Sequence, residues 1–302
     1  MDTTDFKLIT LEDAARMRQY DEDMAISDME FTQLYAWQDR FQNRYKIING
    51  YFCTIFTRDD GVPACYAPIG VYENESYNET LLILKREMDR LGAPFHFDFV
   101  PENWIPRFGS LPGFHVSLSC DDDFSDYIYK AEDFLCLTGR VNEHKRYLVN
   151  YFKKHYTYEY RSLTAENRQD AMKVMENWCE GRDCSQCYWG CEKKAITRVL
   201  EGWDMLSCRG AVIYVDGEPS AFMVGEQIRQ DMVVSHFQKA DKRIKGLYAF
   251  ISHEFYIREY PGITYINLQE DMGIPALRES KQSYRPCHML RKYIVTQNER
   301  QG

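Results

Sequence analysis

One short stretch of the sequence concentrates cysteines at spacings that could hold a metal. These are Cys179, Cys184, Cys187 and Cys191. Thiolates in a loop between two helices could bind zinc tetrahedrally or hold an iron–sulfur cluster, and Cys184 with Cys187 has the CxxC spacing of such ligands. The second CxxC pair of a zinc ribbon is not in the sequence. Reduced thiols packed beside Trp178 and Trp189 are therefore the structural alternative.

Three side chains in the second half of the sequence could transfer protons. Glu226 and His236 fall on two predicted strands of one hairpin, and Tyr284 follows the last predicted helix. A carboxylate or an imidazole can act as a general base, and a phenol can act as a general acid. A one-residue change of register would put Glu226 and His236 on opposite faces of the sheet. Ordinary strand positions for these two residues, and a packed tyrosine, are the structural alternatives.

A basic segment lies where a predicted strand passes into a predicted helix. Its candidate ligand-binding residues are Lys242, Arg243, Lys245 and Gly246. A helix N-terminus offers unpaired N–H groups and partial positive charge, which favour phosphate. The segment therefore predicts a phosphate-binding cofactor site, or alternatively a solvated basic turn.

The elements that must position these residues follow one order in each half of the chain. In the first half we predict strands at 6–10, 45–48, 51–57, 64–69, 95–100, 114–118 and 133–137, and helices at 11–20, 31–41, 78–91 and 101–108. After a linking helix at 142–154, we predict strands at 158–163, 211–215, 220–227, 232–238, 264–268 and 289–295, and helices at 165–179, 191–203, 246–259 and 275–283. The repeated order predicts an α/β protein of two domains, 1–140 and 141–302, each a mixed sheet flanked by helices.

Composition limits the class of protein. Hydrophobic residues make up 44% of the chain and aromatic residues 15%, which is enough for a packed core. No apolar run approaches the length of a membrane span, and no signal peptide is recognisable, so we expect a cytoplasmic protein with reduced thiols. The net charge of −9 disfavours a broad nucleic-acid surface. A local groove could still bind tRNA through Lys239, Lys242, Arg243, Lys245, Lys281 and Arg285.

Several stretches together resemble a known family. The most specific runs from Tyr265 to Arg278 and continues through Lys281, Ser283, Tyr284, Arg285 and Pro286. The others are 236–241, 246–248, 254–255, 133–135, 139–140 and 145–146. The chain is similar over nearly its whole length to the family of the phosphatidylglycerol lysyltransferase C-terminal domain.

The resemblance implies two tandem GNAT-like (acyl-CoA N-acyltransferase) domains, with the active site in the second. It also implies a relationship to the Fem-type enzymes, which transfer aminoacyl groups from charged tRNA. The segment at 242–246 is similar to an acetyl-CoA pyrophosphate loop, although Tyr248 stands where that loop usually has a small residue. Acyl-CoA and aminoacyl-tRNA are therefore the two expected donors, and zinc at the cysteines is a further expected cofactor.

Roles for the candidate residues follow from this resemblance. Transfer to an amine needs a base, or an environment that keeps the amine neutral, and a polarising group, for which Glu226 and His236 are the candidates. Tyr284 could serve as general acid to a leaving thiolate or ribose oxygen. A mixed-charge cluster could bind substrate or form an internal ion-pair network. Its members are Asn267, Glu270, Asp271, Arg278, Lys281 and Arg285.

The sequence thus predicts an acyl- or aminoacyltransferase that acts on a small-molecule amine. A non-catalytic ligand-binding or regulatory protein on the same fold is the alternative. A thiol–metal redox sensor at the cysteine cluster is a third hypothesis. The sequence makes no prediction of the oligomeric state.

Overall fold

The structure, a computed structural model, describes residues 5–20, 25–109, 116–180 and 191–297. Through Lys130 the elements are β1 (Lys7–Leu8), α1 (Ala14–Met17), α2 (Phe31–Ala36), α3 (Gln38–Phe41), β2 (Arg44–Ile48), β3 (Tyr51–Thr57), β4 (Pro63–Cys65), α4 (Asn74–Arg90), β5 (His96–Pro101), β6 (Val116–Cys120) and β7 (Asp126–Lys130). Single-turn or short 3₁₀ helices cover Leu11–Asp13, Arg18–Tyr20, Glu102–Phe108 and Asp122–Phe124.

From Ala131 onward a second series of helices and strands follows. These elements are α5 (Ala131–Leu135), α6 (Glu143–His155), β8 (Tyr158–Ser162), α7 (Arg168–Cys179), α8 (Glu192–Glu201), β9 (Cys208–Val215), β10 (Glu218–Arg229), β11 (Met232–Ala240), α9 (Leu247–Glu259), β12 (Tyr265–Asn267), α10 (Pro275–Gln282), β13 (His288–Leu290) and β14 (Lys292–Gln297). A 3₁₀ turn at Trp203–Met205 precedes β9.

The chain forms two compact units, each built on its own sheet. The first unit comprises 1–126 with 290–302, and its sheet has the order β1-β2-β3-β4-β5-β14-β6. The second comprises 127–289, and its sheet has the order β13-β7-β12-β11-β10-β9-β8. The domain boundary between residues 140 and 141 stays a prediction. The compact units differ from it because β7 pairs with β12 and β14 pairs with β5 and β6.

Strand β3 and helix α4 illustrate how the first unit obtains its core. The sequence of β3, YFCTIFT, is aromatic or β-branched at most positions and is buried except at its last residue, as a central strand requires. On α4 the buried residues Tyr77, Leu81, Leu84 and Met88 recur at helical spacing and form one apolar face.

The second unit places helices on both faces of its antiparallel meander β9–β10–β11. Asp216 and Gly217, with φ values of 51° and 87°, form the tight turn between β9 and β10, as the sequence predicts. Ile213 packs in the core with residues of α6 and α9, whereas its neighbour Tyr214 donates a hydrogen bond to Asp170 of α7. Since successive strand residues point to opposite faces, α9 and α7 lie on opposite sides of the sheet.

Strands β11 and β12 separate after a short parallel contact. They pair from Met232 opposite Tyr265 to Val234 opposite Asn267. Strand β12 ends there, and β11 continues to Ala240 before the loop into α9. The ladder with β12 therefore stops before the second half of β11, which leads into α9.

Two predictions about individual elements are wrong. Residues 133–135 of the strand predicted at 133–137 instead form the end of α5, and residues 136–137 follow it, because Glu132 and Asp133 in the first turn favour a helix N-terminus. The missed strand is β7, immediately before it, whose residues are buried except Lys130. The single strand predicted at 289–295 is two strands, β13 and β14, which belong to different sheets.

None of the helices within the described residues is long and apolar enough to cross a membrane.

Candidate functional site

The structure brings Glu226 and His236 together. Glu226 lies opposite Val234 on β11, and the strand register then shifts, with Gly225 opposite Ser235 and Val224 opposite Phe237. His236 is therefore the extra residue of a β-bulge. Its Nε2 lies 3.6 Å from a carboxylate oxygen of Glu226, and the two side chains are 0% and 5% exposed.

Cys208 extends this pair on the neighbouring strand. It lies directly opposite Glu226 in the β9–β10 pairing, and its Sγ is 3.8 Å from Glu226 Oε2. The thiol is not part of a disulfide and is partly exposed. Cys208 was not among the predicted site residues, although its position at the start of β9, directly across from a candidate base, is the signal that identifies it.

Tyr260, at the end of α9, lies beside the same group. Its hydroxyl donates a hydrogen bond to the carbonyl of Gly225 at 2.7 Å and accepts one from the Arg209 N–H at 3.2 Å. Burial, and to a lesser extent the nearby Cys208 thiol, raises the pKa of Tyr260 well above its ordinary value. A neutral phenol therefore fixes the backbone of β10 next to Glu226.

Tyr284 belongs to a different cluster. Its ring stacks on Phe134 at 4.6 Å between centroids, and Lys145 Nζ lies 3.7 Å from the ring centroid. Burial raises the pKa of Tyr284 to about 12, against a hydrogen bond with Ser252 that lowers it. The structure thus surrounds the phenol with aromatic rings and an amine, and its role as a general acid stays a prediction.

Lys145 is an unusual amine in this cluster. It donates a hydrogen bond to Ser283 Oγ at 2.8 Å and lines a small recess with Phe134, Val149 and Tyr284. Burial lowers the pKa of Lys145 to about 8.

The basic segment before α9 is closely packed. Asp241 accepts hydrogen bonds from the backbone N–H and the guanidinium of Arg243. Gly246 has a φ of +87°, and a Cβ on it would lie 2.3 Å from the carbonyl oxygen of Leu148 on α6. Lys245 donates a hydrogen bond to the Tyr147 hydroxyl, and Lys242 is exposed. Helix α6 therefore covers the glycine at which a cofactor phosphate was predicted.

The mixed-charge cluster after β12 holds its own loop in place. Asp271 accepts two hydrogen bonds from the guanidinium of Arg278, one from the Tyr127 hydroxyl and one from the Gly273 N–H. Burial by itself would raise the pKa of Asp271, but these hydrogen bonds outweigh burial and lower it. The amine of Lys281 is buried and donates to the backbone carbonyls of Leu268, Gln269 and Glu270.

The remaining predicted substrate residues occupy the edge of that loop. Asn267 is buried and accepts a hydrogen bond from the Gln269 N–H, Glu270 is partly exposed, and Arg285 is exposed with a φ of 56°. The contacts of Asp271, Lys281 and Asn267 stabilise the loop. Substrate binding by this cluster stays a prediction.

Of the four cysteines predicted to bind metal, Cys179 and Cys191 are partly buried at the end of α7 and the start of α8. Cys184 and Cys187 lie outside the described residues. Zinc at this cluster stays a prediction.

A basic stripe runs along α6. It consists of His144, Tyr147, Tyr151, Lys154 and His155, with Lys245 packed against it. These helix positions recur at three- and four-residue steps and so share one face. Lys245 Nζ lies 4.5 Å from the Tyr151 ring centroid, and His155 stacks on the same tyrosine at 4.0 Å. Glu143 is the only acidic residue in the α6 sequence.

Two of the lysines predicted to line a tRNA groove are buried. Lys239 pairs with Glu192 at 2.8 Å and lies over the Trp178 ring, and Lys281 is bound by backbone carbonyls. Among the predicted groove residues, Lys242, Arg243, Lys245 and Arg285 are exposed.

Solved structures share this architecture over most of their length. A conserved protein of unknown function from Bacteroides thetaiotaomicron is 27% identical, with a TM-score of 0.90 and coverage of 98% of this chain and 100% of that one. L-PGS from Bacillus licheniformis is 14% identical, with a TM-score of 0.70 and coverage of 99% and 95%. FemX is 10% identical, with a TM-score of 0.65 and coverage of 97% of each chain.

A tandem GNAT protein is among the further structural neighbours, which confirms the predicted class of two GNAT-like domains. No curated protein matches the sequence. The fold is shared with L-PGS, FemX and the tandem GNAT protein. Residues 22–296 match the family described as "Phosphatidylglycerol lysyltransferase, C-terminal", so the chain belongs to that family.

Proposed function

We propose that this protein is an aminoacyltransferase that transfers an aminoacyl group from charged tRNA to an amine, with Glu226 and His236 as the base. The observation that carries the proposal is the buried pair itself, with a Nε2–Oε2 distance of 3.6 Å between β10 and the bulged strand β11 of a GNAT-like sheet. An attacking amine must lose a proton as the new amide forms. His236 would accept that proton, and the Glu226 carboxylate would stabilise the resulting imidazolium.

Two features of α6 favour charged tRNA over acyl-CoA as the donor: its contact with Gly246 and its basic stripe. In a CoA-binding site the phosphates lie on the N–H groups at a helix N-terminus. Here the Leu148 peptide lies against Gly246, and Asp241 engages the Arg243 guanidinium. A pyrophosphate at Gly246 would have to share that space with α6, which favours the other predicted donor.

The positive charge of the α6 basic stripe is complementary to the negative charge of an RNA backbone. Affinity for a phosphate backbone comes mainly from lysine and arginine, and exposed aromatic rings can stack on bases. Tyr147 and Tyr151 are followed on the stripe by Lys154 and His155, and Lys245 packs against the two tyrosines. The stripe is thus locally positive although the net charge of the chain is −9. The name of the family, a lysyltransferase, is also consistent with transfer of an aminoacyl group.

The catalytic test uses bulk tRNA charged with radiolabelled amino acids, the full chain freed of metal with a chelator, and a mixture of small amines. We expect label to move from tRNA to an amine, and Glu226→Gln and His236→Asn to slow transfer by roughly 100-fold or more. Glu218→Gln, an exposed carboxylate on the same strand, is the matched control. Transfer at the wild-type rate in both site variants would remove this pair from the reaction.

The donor test measures binding separately from chemistry. Lys245→Glu should weaken binding of bulk tRNA and reduce the steepness of its salt dependence, whereas Lys194→Glu, on exposed α8 surface, should not. Acetyl-CoA should leave the thermal midpoint unchanged. A saturable shift with acetyl-CoA, together with no tRNA binding, would overturn the donor assignment in favour of a CoA-dependent enzyme. Binding of tRNA without transfer would support the non-catalytic alternative.

A further inference from the structure

Three adjacent strands of the second unit bring together a thiol, a carboxylate and an imidazole. Cys208 on β9, Glu226 on β10 and His236 on β11 each offer one ligand atom, and these atoms all lie within 4.8 Å of one another. The sulfur-to-oxygen distance is 3.8 Å, and the nitrogen-to-oxygen distance is 3.6 Å. The three side chains therefore point toward one another.

These separations are close to those of a zinc site. Zinc bonds of about 2.3 Å to sulfur and about 2.0 to 2.2 Å to nitrogen and oxygen put tetrahedral ligand atoms roughly 3.4 to 3.6 Å apart. The sulfur-to-oxygen and nitrogen-to-oxygen distances exceed this range by no more than about 0.2 Å. The Cys208 sulfur and the His236 imidazole nitrogen lie within 4.8 Å of each other, so side-chain rotation would complete the set. Three protein ligands also leave a fourth position for water, as in catalytic zinc sites.

The chemistry of the ligand set selects the metal. Thiolate and imidazole are poor ligands for magnesium and calcium, which take oxygen, and good ligands for zinc and its neighbours in the first transition row. A zinc ion with one thiolate, one carboxylate and a neutral imidazole forms a site of zero net charge. That neutrality matters because Glu226 and His236 are buried, where an uncompensated charge is costly.

We propose that Cys208, Glu226 and His236 bind a zinc ion. On binding, the Cys208 thiol loses its proton to solvent as the zinc–sulfur bond forms, and no oxidation or reduction occurs. The proposal does not depend on the transferase activity. With the ion bound, the lone pairs of Glu226 and His236 coordinate metal, so proton acceptance by the pair belongs to the metal-free chain.

Cobalt reports on this site directly. The full chain is freed of metal with a chelator and titrated with Co²⁺, which substitutes for zinc and gives a sulfur-to-cobalt charge-transfer band only when a thiolate binds it. We expect one equivalent to produce that band and the visible spectrum of a tetrahedral ion, and added Zn²⁺ to abolish both.

Variants separate this site from the cysteines near α7 and α8. Cys208→Ser should abolish the charge-transfer band, and His236→Asn should weaken cobalt affinity by about 100-fold or more, since even outer-shell changes cost up to about that much. The double variant Cys184→Ser, Cys187→Ser is the control and should retain the full signal.

The outcomes are distinct for the two proposals. Absence of a charge-transfer band, or its loss only in the Cys184 and Cys187 double variant, would overturn the zinc site. Neither result bears on acyl transfer, which is measured on metal-free protein with charged tRNA. A chain that binds cobalt through Cys208 but transfers nothing would keep the zinc site and remove the proposed reaction.

Discussion

Asp271 is a buried carboxylate whose charge is bound by Arg278, Tyr127 and the Gly273 N–H. Asp271→Asn removes that charge and leaves Arg278 without its bidentate partner. We expect a loss of about 2 to 4 kcal/mol in the free energy of unfolding. Urea denaturation measures it, and Asp204→Asn, an exposed aspartate of the same unit, should change stability little.

The contribution of Asp271 to stability should depend on pH in the acidic range. The folded-state pKa of Asp271 lies below its unfolded value. Its contribution is therefore present above the unfolded-state pKa and is lost as pH falls through the lowered folded-state pKa. The stability difference between wild type and Asp271→Asn should shrink on acidification, and a difference that stays constant down to pH 3 would contradict this account.

Lys145 should be the most readily acylated lysine of α6. Its pKa of about 8 makes a substantial fraction neutral, and hence nucleophilic, in mildly alkaline solution. We expect its labelling by an amine-directed reagent, followed by mass spectrometry, to rise through a midpoint near pH 8. Lys154, exposed on the same helix, serves as the internal comparison. Identical pH profiles for the two lysines would contradict the effect of burial.

At this scale the sequence identified the residue types better than their partners. Glu226 and His236 were candidates, but their proximity depends on the bulge at His236, for which the sequence has no local signal. For Asp271 and Lys281 the sequence left open substrate binding or an internal ion-pair network. The contact of Asp271 with Arg278 and of Lys281 with backbone carbonyls supports a structural role. Such contacts arise only after the loop has folded.

Among the elements, α6 has the largest effect on how the candidate site is interpreted. The Gly246 Cα lies so close to α6 that an added Cβ would meet the Leu148 carbonyl oxygen at 2.3 Å. Gly246→Ala should therefore destabilise the protein both by this overlap and by the positive φ.

Gly217→Ala isolates the second cause. Gly217 has the same φ of +87°, but nothing lies within 4 Å of the position of its Cβ. We expect Gly217→Ala to lower the free energy of unfolding by about 1 kcal/mol. Gly246→Ala should lower it by at least about 2 kcal/mol more, and thermal unfolding measures both. Equal losses of unfolding free energy in the two variants would show that α6 does not pack against Gly246 in solution.

Most element types were predictable because periodicity and turn residues are local signals. The β9–β10 hairpin follows from Asp216 and Gly217, and helix α9 ends near Pro261 and Gly262 as predicted. The α5 segment was misread because its acidic first turn was outweighed by its apolar residues. The cover that α6 provides over Gly246 is a packing contact between distant residues, which spacing alone does not encode.

At the scale of the whole molecule, the position of β14 decides how the first unit holds together. This strand lies between β5 and β6 and pairs with both. Lys292 at its start is buried and forms ion pairs with Asp28 and Asp126. The sequence predicted one strand in this region, since which sheet a strand joins depends on partners far along the chain.

Ending the chain after Leu290 should therefore unfold the first unit selectively. Strands β5 and β6 would each lose a neighbour, and Asp28 and Asp126 would lose their lysine. Hydrogen exchange with mass spectrometry should show lost protection in β2 to β6 and retained protection in β9 to β11. A chain ending after Gln297, which keeps β14, is the control. Uniform loss of protection throughout would show that the two units unfold as one.

The same strand sets an order for folding during synthesis. Residues 127–289 of the second unit are contiguous and can fold as soon as they leave the ribosome. The first unit, although translated earlier, must wait with an open gap between β5 and β6 until residues 292–297 emerge. Throughout translation of the second unit the nascent chain thus carries an unfinished sheet with two exposed strand edges, which are sites for chaperone binding or for mispairing with a neighbouring nascent chain.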